Sequence, residues 1–238
     1  MSAASVTASE VGVRFQFDRQ NRVVSPLLAK LRRRGEETWG LHGVTVSVAP
    51  GEGLALVGAS GSGKTTLLRV IAGILPADDG RIRVEGRVAS LLSIDAGLTT
   101  ELTGRENVML LGVLAGLTRR EARRSLDEIK GLASLEDEFD HPVSSYSQGM
   151  RARLGFAVAA RSGPDLLLLD EVHEALDHEF RGVVEEFTRA LLDRGGVVVA
   201  TGHDHSLLGR ICERGLFLRD GHVAGDGPLG EVVRAYVG

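Results

Sequence analysis

Nine consecutive residues, Gly58-Ala59-Ser60-Gly61-Ser62-Gly63-Lys64-Thr65-Thr66, are of the types that together hold a polyphosphate. They fit G-x-x-x-x-G-K-[ST]. Glycines at 58, 61 and 63 let backbone N–H groups crowd around phosphate oxygens, with Ser60 and Thr66 counted among the phosphate-side residues. Lys64 brings a cation to the β- and γ-phosphates, and Thr65 offers a hydroxyl to Mg²⁺. A second group is Leu166-Leu167-Leu168-Leu169-Asp170-Glu171. Four apolar residues ending in two acids place the acids at the C-terminal edge of a buried strand, where ligands sit in open α/β sheets. Asp170 suits Mg²⁺, directly or through water, and Glu171 suits removal of a proton from an attacking water. In Tyr146-Ser147-Gln148-Gly149-Met150, Ser147 and the Gly149 N–H stand at a helix start, again an anion site. His203-Asp204 follows an apolar strand, a place where a lone histidine is usually structural.

These residues need elements to carry them. Residues 54–57 read as a short buried strand before the phosphate loop, and 66–72 as a helix after it, its N-terminus aimed at the anion. Near-alternating apolar positions at 11–17 and 43–48 predict strands. Between them, Ser25 suits an N-cap, Pro26 a first helical position and Gly35 a stop, which predicts a short helix at about 25–35. That helix has four cations (Lys30, Arg32, Arg33, Arg34) beside Leu27, Leu28 and Leu31. It would either meet anionic lipid headgroups or a membrane partner, or be a plain solvated surface helix. A further strand pair is expected within 81–92. Capping boxes at Thr103 to Glu106 and Thr118 to Glu121 announce two helices, the second reaching Lys130. Another helix should run from about 149 to 160. The runs 166–169 and 197–200 read as parallel strands of a covered sheet.

Composition narrows the class. The chain has 238 residues, 43% hydrophobic and 25% charged, as for one globular domain, with room for a subdomain, and the alternation of strands and helices above makes it α/β. A net charge of −4 gives no basic footprint for nucleic acid. Cys212 is the single cysteine, so no internal disulfide forms and a reducing compartment fits. No uncharged apolar run approaches the ~18–20 residues of a transmembrane helix. Work at a membrane would need another subunit to span it.

The order of phosphate loop, Tyr-Ser-Gln-Gly-Met, Leu-Leu-Leu-Leu-Asp-Glu and His-Asp over roughly residues 40 to 228 resembles the ATP-binding subunits of ABC transporters, whose signature loop reads L-S-G-G-Q. The resemblance implies a P-loop NTPase core with a mostly parallel sheet, an N-terminal antiparallel β subdomain and an inserted helical subdomain at about 94–160. It implies a symmetric dimer sandwiching two ATP molecules, with Ser147 and Gly149 gripping the γ-phosphate bound to the other subunit. His203 looks like the family's switch histidine, and Glu174-Ala175-Leu176-Asp177 like the loop that crosses the dimer interface. Glu101-Leu102-Thr103-Gly104-Arg105-Glu106-Asn107, with Arg153-Leu154-Gly155-Phe156-Ala157-Val158-Ala159 and Trp39-Gly40-Leu41, is similar to the ATPases that export polysaccharides such as teichoic acid, O-antigen or galactan across bacterial inner membranes. The implied partner is a polytopic ABC-2-type permease, and the implied place is the cytoplasmic face of the plasma membrane.

Three positions depart from the family pattern. Glutamine occurs only at 16, 20 and 148, so the Gln that usually touches Mg²⁺ and water is absent, and Ser93 or Asp95 is expected to stand in. Gly202 replaces the usual Ser or Thr before the histidine. The aromatic that stacks on adenine could be Phe15, Phe17 or Trp39, and Phe15 is favoured by its place after the opening strand. A non-transport ABC ATPase, a binding-only subunit, or an exporter of lipid or drug are the alternatives.

Overall fold

The computed structural model describes residues 4–17, 36–93, 97–171 and 176–238. The basic helix expected at 25–35, Asp95, and Glu174 and Ala175 of the interface loop lie outside the described residues. The strands are β1 (Ser5–Phe17), β2 (Glu36–Val48), β3 (Gly53–Val57), β4 (Asp79–Glu85), β5 (Val88–Leu91), β6 (Leu166–Asp170), β7 (Val197–Thr201), β8 (Arg214–Arg219) and β9 (His222–Pro228). The helices are α1 (Lys64–Ile71), α2 (Gly104–Leu114), α3 (Arg119–Arg124), α4 (Leu126–Ala133), α5 (Gln148–Arg161), α6 (His178–Asp193), α7 (His205–Leu208) and α8 (Leu229–Val237), with a 3₁₀ turn at Val143–Ser145.

Two sheets result. One is antiparallel in the order β2-β1-β4, and the other runs β5-β6-β7-β3-β8-β9. The larger sheet is parallel from β5 to β8, and only β9 is antiparallel. Its middle strands are apolar at nearly every position because both faces are covered. Ala55, Val57, Leu167, Leu169, Val198 and Ala200 face a layer that includes Phe156 of α5 and Phe180 and Val184 of α6. The alternate residues Leu54, Leu56, Leu166, Leu168, Val197 and Val199 face α1 and the inner valines of the antiparallel sheet. The period-two alternation of a strand thus feeds two cores from one run of apolar residues. The strand pair expected within 81–92 divides instead. After a turn at Gly86 (φ 100°), β4 joins the antiparallel sheet and β5 the parallel one.

Helices α2 to α5 pack around a third core of Val108, Leu126, Ile129, Phe139 and Leu154. Both expected capping boxes form, Thr103 with Glu106 and Thr118 with Glu121. Hydrogen bonds from Thr103 and Thr118 hold the two glutamates below the usual carboxylate range. The helix expected to run unbroken from Thr118 to Lys130 is split at Ser125. Its hydroxyl donates back to Glu121 O at 2.9 Å, a bond of the kind that bends a helix.

Asn107 organises the entry to this helical layer. Its side chain is fully buried, accepts from Thr99 N at 2.8 Å and donates to the carbonyls of Thr99, Leu102 and Thr103 at 3.0, 3.2 and 2.9 Å. Asn107→Ala leaves those backbone groups without their partner, at a cost of about 2–3 kcal/mol. The expected drop in Tm is about 5–10 °C for a chain of this size, measurable by thermal melting. An unchanged Tm would show that Asn107 does not hold the 99–103 loop.

Candidate functional site

Three adjacent strands bring the chemistry together. β3, β7 and β6 lie side by side, and their C-terminal ends carry the phosphate loop, Thr201-Gly202-His203 and Asp170-Glu171 respectively. Parallel strands end at one edge, so residues distant in sequence share one crevice there.

Crowding dictates two of the loop's glycines. Gly58 has φ 150° and Gly63 φ 108°. A Cβ on Gly63 would come within 2.7 Å of the Gly40 carbonyl oxygen, and one on Gly58 within 2.6 Å of Ser62 Oγ. Gly63 precedes α1 in the left-handed region and brings no side chain to cap the helix. The first-turn N–H groups of α1 are therefore left for a ligand. Ser60 and Gly61 are exposed at the mouth, and Thr65 and Thr66 are half-buried in the first turn.

Lys64 is 6% exposed. Its ammonium donates to the Gly58 and Ala59 carbonyls at 2.7 and 3.0 Å, folded over its own loop. Burial lowers its pKa, and the negative charges of Glu171 and Asp170 act the other way. Both acids are thus within electrostatic reach of the loop. Asp170 is half-buried and accepts the Thr201 hydroxyl on Oδ1 at 2.6 Å. Glu171 sits at φ 57° with its N–H donating to Thr201 O at 3.1 Å. Its Oε1 is 3.1 Å from His203 Nε2. The left-handed backbone turns this carboxylate off the strand direction and toward the histidine.

Among the described residues no cluster of three or more His, Cys, Asp or Glu side chains could hold a metal. The oxygen donors Thr65 and Asp170 nevertheless fit Mg²⁺, which keeps several waters and takes one or two protein ligands beside substrate phosphates.

Ser147 is not at the three strand ends that carry the loop, the acids and His203. It caps α5, whose first turn belongs to the helical layer, and accepts from Met150 N at 3.2 Å. A hydroxyl that accepts this way keeps its proton to donate. Ser147 is exposed, and Gly149 is the second residue of the helix beside it. Tyr146 anchors them: it is buried, and its hydroxyl donates to Glu138 O at 2.8 Å. Burial pushes its pKa up to about 12. Asp177 is the N-cap of α6, accepting from Phe180 N at 2.8 Å.

Of the aromatic candidates, Phe15 lies against the Cα of Gly40, whose carbonyl packs beside Gly63. Trp39 has Arg14 over its ring at 4.9 Å and His42 edge-on at 4.6 Å. The Phe17 side chain is outside what is described. Ser93 is exposed two residues beyond Leu91, which pairs with Leu169. The chain therefore leaves β5 beside the two acids. Thr201 was not among the residues singled out from sequence. Its signal is a polar residue closing the apolar run Val197-Val198-Val199-Ala200.

Comparison with known proteins gives one consistent result. The family model described as ABC transporter matches residues 41–174. The O-antigen export system ATP-binding protein RfbB of Klebsiella pneumoniae is 34% identical over 203 residues, covering 85% of this chain and 82% of the relative. The teichoic acids export ATP-binding protein TagH of Levilactobacillus brevis is 36% identical over 198 residues, covering 83% of this chain and 55% of the relative. The chain thus spans most of the first relative and about half of the second. In fold it is similar to a dimeric ATP-binding cassette in a post-hydrolysis state bound to ADP and Pi, with TM-score 0.78 at 23% identity over 94% of this chain and 98% of that one.

Proposed function

We propose, from the premise that this chain belongs to the ABC transporter family as one of its ATP-hydrolysing cassettes, that it drives export of a polyprenyl-linked polysaccharide across a bacterial inner membrane. The cargo reading rests on similarity to O-antigen and teichoic acid export subunits over more than four-fifths of the chain. One structural observation carries the catalytic reading. The phosphate loop, Asp170, Glu171 and His203 converge at the C-terminal ends of three adjacent strands, with the charge of both acids felt by Lys64.

In this reading the first-turn N–H groups of α1 and the Lys64 ammonium take the β- and γ-phosphates. Thr65 and Asp170 take Mg²⁺, which neutralises phosphate charge when bound. Glu171 accepts the proton of the attacking water, and His203 holds Glu171 and the γ-phosphate side of the site in register. Phe15 offers a ring for adenine. Ser147, exposed, and Gly149, half-buried, at the start of α5 are donors for the γ-phosphate of a second copy. The working unit is then a homodimer closed by two ATP molecules, docked on an ABC-2-type permease at the cytoplasmic face. No helix among the described residues is long and apolar enough to cross a membrane, so the permease supplies the path.

The test is ATPase activity of the purified protein, alone and in liposomes with a candidate polytopic permease subunit. Turnover that rises with the permease is the expected result. Equal turnover with and without it would argue for an ATPase that is not coupled to export.

A further inference from the structure

β7 ends on a residue that its surroundings do not call for. Val197 to Ala200 are apolar and buried, and Thr201 after them is 0% exposed. A buried hydroxyl needs a partner or it destabilises the fold. Thr201 gives its proton to Asp170 Oδ1 at 2.6 Å, the length of a charge-assisted O–H···O bond. The parallel register sets Asp170 directly opposite Thr201, so the bond spans two neighbouring strands. The Thr201 carbonyl meanwhile accepts the N–H of Glu171 at 3.1 Å, which helps hold that residue at φ 57°. Two residues further on, His203 meets the Glu171 carboxylate. One buried residue therefore touches both acids, Asp170 through its side chain and Glu171 through its backbone.

A carboxylate with one oxygen fixed by a short bond presents the other in a set direction. We propose that Thr201 is a positioning residue for the divalent cation of bound nucleotide, locking the Asp170 carboxylate so that its remaining oxygen stays turned to the metal. This rests on the reading of Asp170 as the metal-side carboxylate. With glycine at 202, the hydroxyl at 201 supplies at this strand end the side-chain donor that residue 202 cannot. Thr201 acts through Asp170 and makes no contact with the metal itself.

The experiment measures Mn²⁺ bound to the ATP-loaded full chain by electron paramagnetic resonance, with metal-free ATP affinity measured in parallel. Thr201→Val removes the hydroxyl and keeps the branched shape. Thr201→Ser keeps the hydroxyl, and Asp170→Asn removes the carboxylate. Loss of a partner behind a metal ligand weakens metal binding about 10- to 100-fold, so Thr201→Val should bind Mn²⁺ at least about tenfold more weakly. Its metal-free ATP affinity should hold, and Thr201→Ser should restore Mn²⁺ binding. Wild-type Mn²⁺ affinity in Thr201→Val, with Asp170→Asn impaired, would overturn the positioning role alone. Loss of metal-free ATP binding in both Thr201 variants would overturn it in favour of a local structural role. Intact Mn²⁺ binding in Asp170→Asn would remove the reading of Asp170 and the proposal with it.

Discussion

Glu171→Gln is expected to stop turnover and leave ATP in place. The amide keeps the size of the side chain and can still reach His203, which sits 3.1 Å from the carboxylate. It cannot take a proton from water. General-base contributions run about 10²- to 10⁴-fold, so kcat should fall at least about 100-fold with nucleotide affinity retained. Ser147 is exposed at the start of α5, and in the proposed sandwich it and Gly149 complete the site of a second subunit. ATP that is bound and not hydrolysed should then hold two copies together. Size-exclusion chromatography with light scattering would show a dimer for Glu171→Gln in ATP and a monomer without it. A monomer in both conditions would remove the sandwich from the proposed mechanism.

Lys64→Met should give the largest loss of binding. The wild-type ammonium is nearly enclosed and already bonded to the Gly58 and Ala59 carbonyls. Phosphate gives that cation a better partner than two carbonyls, because the interaction becomes charge with charge in a shielded loop. Methionine fills the space without the charge. At ATP equal to 100 times its Kd, the wild type gains about 2.7 kcal/mol from ligand. That corresponds to a rise of about 5–10 °C in Tm at this chain length. Lys64→Met should show almost no rise at the same ATP concentration, while its Tm without ATP stays near that of the wild type. A full ATP-induced rise in the variant would mean that Lys64 is not the phosphate cation.

The strands that hold the site were legible because each is a short apolar run with a chemical residue directly after it. Burial of both faces leaves β3, β6 and β7 little freedom, so the expected runs 54–57, 166–169 and 197–200 each fall within one residue of the observed strands Gly53–Val57, Leu166–Asp170 and Val197–Thr201. The capping boxes at Thr103 and Thr118 were equally clear, since a local hydrogen-bond pattern fixes them. What stayed hidden is non-local. The hydroxyl of Thr201 finds Asp170 only because β6 and β7 pair in one register. That register is set by packing from both cores and not by either strand's own sequence. Likewise, residues 81–92 read as a pair of strands, but nothing within them says that β4 and β5 enter different sheets. Ser125 shows the opposite limit: a back-bonding hydroxyl stands where the helix expected from Thr118 to Lys130 divides.

The placement of β3 also bears on how the protein comes to exist. Its two neighbours in the sheet are β7 and β8, which begin at Val197 and Arg214. A ribosome making this chain releases the phosphate loop long before either neighbour. At ~5–20 residues per second, the wait is on the order of ten seconds. Throughout that interval β3 is an apolar strand with both edges bare, and the loop it should brace has no histidine and no acids beside it. The strand neighbours that flank the loop are thus in place only late in synthesis. The interval is also when the young chain is most open to pairing with the wrong strand or being shielded by a chaperone.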